Sequence, residues 1–179
     1  MRNIIVDLDG VTVQYNFAEI IQKDFGHTVI NSGIWCCSIE DSLGVSPEAV
    51  TKMFQVENKA KPNFMPGAIE TLKYFLAKDY EVYILTNRLY FMTKEELVAW
   101  LEKYRIPYSG LVTNGDLPFY AHAHIDDSPT KLMSVRDKIE VKHSILFENP
   151  WNKKCLNIKG EMERAKNWGQ VRRIVNEEI

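Results

Sequence analysis

The chain opens with a short apolar run, Ile4-Ile5-Val6, that stops abruptly at Asp7-Leu8-Asp9-Gly10-Val11. An apolar run without polar alternation reads as a strand buried on both faces, the position of a central strand in a parallel sheet. Such a strand delivers two carboxylates, one residue apart, at its carboxyl end. In an open α/β sheet that is the edge where ligands bind. Gly10 lets the backbone turn away sharply and come close to a bound anion. Two acids this close repel each other unless a cation sits between them, and a hard divalent ion such as Mg²⁺ suits such oxygen ligands.

The rest of the sequence alternates strand-like runs with helical patterns, the signature of a parallel α/β sheet. Ile69, Leu72, Phe75 and Leu76 mark a helix over about 66–78, and Tyr80 to Leu85 follows as the second strand, ending at Thr86-Asn87-Arg88. Thr93 and Glu96 form a capping box for a helix that buries Leu97, Trp100, Leu101 and Tyr104. Leu111 and Val112 suggest a third strand, and 121–125 a fourth that delivers Asp126-Asp127. Ser128-Pro129 starts another helix, Ser144 to Phe147 is the fifth strand, and a last helix over about 161–177 packs Trp168, Val171, Ile174 and Val175. Residues 14–64 are different: they carry helical patterns near 17–25 and 47–57 and no good strand, so they read as a small helical insert.

A length of 179 residues suits one domain with such an insert. With 22 basic against 24 acidic residues, for a net charge of −2, there is no electrostatic case for duplex nucleic acid or an anionic membrane as partner. No apolar stretch approaches the roughly 20 residues needed to span a bilayer. The N-terminus runs straight into a strand, which reads as the absence of a signal peptide. Cys36, Cys37 and Cys155 form no metal or disulfide pattern and read as small buried hydrophobes. These features together point to a reducing cytoplasm.

Polar groups therefore gather at three strand ends: Asp7 and Asp9, Thr86 and Asn87, Asp126 and Asp127. Each alone is a weak signal; in this order and at these positions they are much more specific. Here the chain resembles the haloacid dehalogenase (HAD) superfamily of phosphotransferases, whose motifs are DxDG(T/V) after the first strand, Thr or Ser after the second, and an acidic pair after the fourth. The stretches Phe64-Met65-Pro66-Gly67-Ala68, Ile84-Leu85-Thr86, His124-Ile125-Asp126-Asp127 and Ile145 to Asn152, the Trp100 helix, and Arg164 followed by Trp168, are further similar to the cytosolic-type 5′(3′)-deoxyribonucleotidases.

The resemblance implies an α/β three-layer sandwich, five parallel strands in the order 5-4-1-2-3, with a HAD-like core over 1–13 and 65–179 and a small helical cap over 14–64. It implies Asp7 as a nucleophile that forms an aspartyl-phosphate, and Asp9 as the general acid, then base. It implies Mg²⁺ held by Asp7, the Asp9 carbonyl and Asp126, with Asp127 one layer behind. Thr86, the Asn87 N–H and the N–H groups of the Asp9-Gly10 turn would bind phosphate. The implied substrate is a small phosphomonoester, specifically a nucleoside monophosphate; of the insert's aromatics Tyr15, Phe17, Trp35, Phe54 and Phe64, most read as its own core, and Phe17 and Trp35 are the first candidates to stack on a base.

One departure matters. The family's third motif is a Lys about ten residues before the acidic pair, where this chain has Asn114-Gly115-Asp116-Leu117-Pro118, an acid and no base. Arg88, Lys94, Lys103 and Lys131 are the cations that could substitute; Arg88, nearest the phosphate turn, is the first candidate, with a solvated loop cation as its alternative reading. Two alternatives stay open: a phosphatase of the same fold for another small phosphate such as a sugar phosphate, and a phosphate- or nucleotide-binding protein impaired in catalysis by loss of that Lys. His122, His124 and Asp126 also alternate along the fourth strand in a pattern superficially like a zinc site, but histidines hydrogen-bonded beneath the sheet edge are the expectation.

Overall fold

The computed structural model describes residues 2–14, 46, 48, 62–113, 115–150, 152, 153, 155 and 162–177. Strand β1 is Arg2–Val6, followed by the two-residue β2, Val13–Gln14, and β3, Asn63–Phe64. Then come α1 (Ala68–Ala77), β4 (Tyr80–Leu85), a 3₁₀ turn (Asn87–Tyr90), α2 (Lys94–Lys103), β5 (Gly110–Val112), β6 (Tyr120–Asp126), α3 (Pro129–Arg136), β7 (Glu140–Phe147), β8 (Glu163–Ala165) and α4 (Trp168–Asn176).

The main sheet is parallel throughout, in the order β5-β4-β1-β6-β7-β8. The expected five-stranded sheet in the order 5-4-1-2-3 is thus corrected to six strands. The added edge strand comes from the region expected to open the last helix. That helix cannot start at 161, because the Asn167 side chain accepts the Gln170 N–H and caps it there. The residues just before it pair with β7 instead, Ala165 beside Phe147. The 14–64 insert is also bracketed by a short antiparallel ribbon, Val13 opposite Phe64 and Gln14 opposite Asn63, where no strand was expected. Strands of two residues have no periodicity to read. The expected helices near 17–25 and 47–57 lie outside the described residues.

Burial follows strand alternation. Ile4 and Val6 join Val82, Ile84 and Ile125 in an apolar cluster with Leu72 and Phe75 of α1, Leu97 and Leu101 of α2, and Trp168 and Val171 of α4. Ile5 faces the other way, with Leu85, Val112, Ala121 and Val135 of α3. Helices therefore cover both faces, and β1 is sealed: Ile4, Ile5 and Val6 have no solvent exposure. The capping box at Thr93 and Glu96 is present, and the expected core residues of α2 and α4 are buried apart from the half-buried Tyr104.

Cys155 is buried and disulfide-bonded, which overturns its reading as an unpaired apolar filler. The cysteine argument for a reducing compartment falls with it. Among the described residues no helix is long and apolar enough to cross a membrane.

Candidate active site

Strand register levels the three polar tips. Val6 lies beside Ile84 on one side and Ile125 on the other, and the Asp7 N–H donates to the Ile125 carbonyl at 3.0 Å. Asp7 therefore leaves the sheet at the height of Leu85 and Asp126, with Thr86 one residue further along. The loop after β1 is held from behind. Thr12 Oγ donates to the Asp7 carbonyl (3.0 Å), Trp168 Nε1 to the Val11 carbonyl (2.9 Å) and Asn149 Nδ2 to the Gly10 carbonyl (2.7 Å). Gly10 has φ +82°, the left-handed region that its lack of a Cβ allows. Its N–H donates to the Val13 carbonyl at 2.9 Å, so Gly10 contributes shape to the turn, and the expected donor to a phosphate is already engaged.

Ligand atoms of Asp7, Asp126 and Asp127 lie within 4.8 Å of one another. Asp7 and Asp126 are buried, at 2% and 0% exposure. Asp126 is fixed by the Ser128 N–H, which donates to its Oδ1 at 2.8 Å. That leaves two buried carboxylate oxygens, Asp7 Oδ1 and Asp126 Oδ2, with no hydrogen-bond partner among the described residues. Buried anionic oxygens left in this way are costly unless a cation completes the site.

Part of that cation is in the chain. Lys131 Nζ stands 3.3 Å from Asp7 Oδ2 and 3.8 Å from Asp126 Oδ2. It is Lys131, and not the first-choice Arg88, that faces Asp7. Lys131 lies in the first turn of α3, capped by Ser128. Helical side chains lean toward the N-terminus, which here is the carboxyl edge of the sheet, so the ammonium is carried back over Asp7. A cation at a helix N-terminus opposes the helix dipole, and the carboxylates offset that cost.

Burial pushes the Asp7 carboxyl well above the ordinary carboxylate range; Lys131 pulls it back, and Asp126, Asp127 and Asp9 push it further up. Burial acts the same way on Asp126, but there Lys131, His124 and the Ser128 N–H outweigh it and hold the carboxyl below its usual value. Burial alone would lower the Lys131 ammonium; Asp126, Asp7 and Asp127 outweigh it and keep Lys131 protonated beyond the ordinary lysine range.

Arg88 has a different partner. Its Nε donates to Asp9 Oδ2 at 2.9 Å and its Nη2 to Asp9 Oδ1 at 2.8 Å, a two-pronged grip on the carboxylate. The guanidinium is stacked 4.1 Å from the Trp100 ring centroid. The Arg88 N–H donates to Thr86 Oγ at 3.2 Å, which caps the 3₁₀ turn and leaves the Thr86 hydroxyl proton to give elsewhere. The third-motif loop also explains itself. Asp116 Oδ1 accepts the N–H and hydroxyl of Thr113, so its acid closes a turn.

Two residues escaped notice in the sequence except as part of a resemblance. Asn152, without solvent exposure, donates to the carbonyls of Asp127 and Phe147, each at 2.8 Å, and accepts the Asn149 N–H at 2.9 Å. With Asn149 on Gly10, one turn after β7 ties the Asp7 loop to the Asp127 loop. Buried Asn at positions flanking a strand end is the signal that could have found them. Of the three described histidines, His122 and His143 have partners elsewhere. His122 Nε2 meets the Val175 carbonyl at 3.0 Å and His143 Nδ1 meets Glu163 at 2.8 Å. His124 borders the cluster, its Nε2 3.7 Å from Asp126 Oδ2. Phe17 and Trp35 lie outside the described residues.

No protein-family model matches this sequence, and no curated protein matches it either. Solved structures do. A HAD-superfamily hydrolase from Ehrlichia chaffeensis is similar with a TM-score of 0.54 at 14% identity, over 98% of this chain and 97% of that one. A protein described as a predicted phosphoglycolate phosphatase from Haemophilus somnus gives 0.64 at 13%, over 98% of each chain. The D,D-heptose 1,7-bisphosphate phosphatase of B. bronchiseptica, complexed with magnesium and phosphate, gives 0.57 at 12%, again over 98% of each. At these identities the likeness is one of architecture: the chain has the α/β fold seen in HAD-superfamily hydrolases.

Proposed function

We propose that this chain is a Mg²⁺-dependent phosphomonoester hydrolase working through an aspartyl-phosphate on Asp7, with a nucleoside monophosphate as substrate. The observation that carries the reading is the setting of Asp7. It is buried at the tip of the central strand, with one oxygen facing Lys131 and the other without a hydrogen bond, beside two more carboxylates. A purely structural carboxylate would have both oxygens satisfied.

The donor set suits a hard divalent ion: oxygen ligands only, and two buried oxygens awaiting a partner. Asp7, Asp126 and the Asp9 carbonyl would hold Mg²⁺, with the Asp127 carboxylate in the same cluster. Mg²⁺, when bound, supplies the positive charge that lets a carboxylate meet a phosphate dianion. Asp7 then attacks phosphorus while Lys131 balances its charge from the other side. The Thr86 hydroxyl and the Asn87 N–H, at the mouth of the 3₁₀ turn, hold a phosphate oxygen. Asp9 gives a proton to the leaving oxygen and later takes one from water. The division of core (1–13 and 65–179) and cap (14–64) leaves choice of substrate to the cap, where Phe17 and Trp35 would stack on a base.

A sugar phosphate is the second reading, and the neighbours favour it as much as a nucleotide. One acts on a heptose bisphosphate, and another structure, CbbY from Rhodobacter sphaeroides, is in complex with xylulose-1,5-bisphosphate. The binding-only reading rested on a missing base opposite Asp7, and Lys131 takes that support away. Phosphate release from a panel of deoxynucleotides, ribonucleotides and sugar phosphates, with Mg²⁺ and with EDTA, decides between them. A nucleoside monophosphate is expected to give the highest kcat/KM, and only with Mg²⁺. A sugar phosphate ranking first would overturn the nucleotide assignment and keep the chemistry.

A further inference from the structure

We propose that Arg88 is a positioning residue for Asp9, acting through that carboxylate and not on the phosphate. The inference rests on the phosphomonoesterase reading and adds a residue to it. Each Asp9 oxygen receives one N–H from the same planar guanidinium, at 2.9 and 2.8 Å. Arg88 is itself fixed: 3% exposed, stacked on Trp100 and tied through its backbone to Thr86. A guanidinium held by Asp9 and Trp100 on a backbone anchored to Thr86 is built to stay, so this is a mount and not a latch that opens.

The mount solves a problem of placement. Asp9 is one residue from Asp7 on the same turn, and its side chain is 16% exposed. A bound divalent ion would draw a free carboxylate inward as one more ligand. The two-pronged grip holds both Asp9 oxygens on Arg88, outside the cluster of Asp7, Asp126 and Asp127. Each Asp9 oxygen keeps a second lone pair for a proton. In the first half-reaction the Asp7 oxygen bonds to phosphorus as the bond from phosphorus to the leaving oxygen breaks, and the Asp9 proton goes to that leaving oxygen. In the second, water oxygen bonds to phosphorus as the Asp7–phosphorus bond breaks, and the water proton returns to Asp9. A lysine cannot reproduce the grip, because its point charge lacks the fork.

The test is leaving-group dependence, read as kcat/KM so that steps after departure of the leaving group drop out. Arg88→Gln and Arg88→Lys are compared with the unmodified chain on an alkyl ester, a nucleoside monophosphate, and on 2,4-dinitrophenyl phosphate, whose leaving group departs without a proton. Arg88→Gln should lose about a hundredfold on the alkyl ester, the scale of general-acid catalysis, and less than tenfold on the dinitrophenyl ester. Arg88→Lys should fall between, and Arg88→Gln combined with Asp9→Asn should be no worse than Asp9→Asn alone. Equal losses on both esters would show that Arg88 binds phosphate or only supports the fold, and would overturn the proposal. Equal activity of the unmodified chain and both variants on the alkyl ester would overturn it too. An unmodified chain inert toward the dinitrophenyl ester would overturn the phosphatase reading itself, and the Arg88 role with it.

Discussion

Asp7→Asn is expected to abolish phosphate release and to leave the fold intact. The amide is isosteric with the carboxylate but is no nucleophile toward phosphorus, and it removes one anionic ligand from the cluster around Asp126. The fold should survive because the backbone of residue 7 keeps its own bonds, the N–H to Ile125 and the carbonyl from Thr12. Stability should even rise without metal. Burial raises the Asp7 carboxyl well above its unfolded value, so the folded chain binds that proton more tightly than the unfolded one. The ionised carboxylate therefore costs stability at neutral pH, and the cost disappears below about pH 4, where Asp is protonated in both states. Thermal melts in EDTA check this: the variant should melt no lower than the unmodified chain at pH 7.5, with the gap closing on acidification. Retained turnover would sink the nucleophile assignment, and a lost fold would make Asp7 a structural residue.

Lys131→Met should have the next largest effect. One unit charge at about 4 Å and an effective dielectric of 20 is worth about 4 kcal/mol, or about a thousandfold in rate if it is felt mainly in the transition state. The same substitution removes the ammonium that stands within 3.8 Å of both carboxylates, and among the described residues no other lysine or arginine contacts Asp7 or Asp126. Breaking a buried pair from one side costs about 3 kcal/mol or more. The variant should therefore melt well below the unmodified chain in EDTA and recover most of the difference when Mg²⁺ is added. Steady-state turnover and melting curves with and without Mg²⁺ measure both effects. Turnover within tenfold of the unmodified chain would show that Lys131 is not the charge opposite Asp7.

Why the sequence reveals Asp7 and hides Lys131 is a matter of geometry. Strands project their ends in a fixed direction and parallel register levels them, so Ile4-Ile5-Val6 before Asp7 and Tyr80 to Leu85 before Thr86 place both tips on one edge. A long, flexible side chain on a helix carries no such constraint, and nearness in sequence to the phosphate turn favours Arg88 over Lys131. The discriminating facts were available: Ser128-Pro129 starts a helix directly behind Asp126, and side chains of a first turn lean back toward it. Arg88 and Asp9 are 79 residues apart, and nothing local announces their pairing. The edge strand Glu163–Ala165 was missed because two of its three residues are charged, and the strong apolar period of α4 was extended backward across it. Asn167, a good helix cap immediately before Trp168, marked the true start. Gly10 turns the backbone at φ +82°, and its N–H bonds within the loop to Val13, a pairing that the sequence does not announce.

The central claim is a covalent phosphoryl group on Asp7, and chemical trapping tests it most directly. The unmodified chain, turning over its best phosphomonoester in Mg²⁺, is quenched with borohydride, which reduces an acyl-phosphate to an alcohol, and the tryptic peptides are weighed. The expected result is homoserine at position 7, dependent on both substrate and Mg²⁺, with Asp9, Asp126 and Asp127 unmodified. Steady phosphate release with Asp7 unreduced at every quench time, or with the reduced residue elsewhere, would contradict the account.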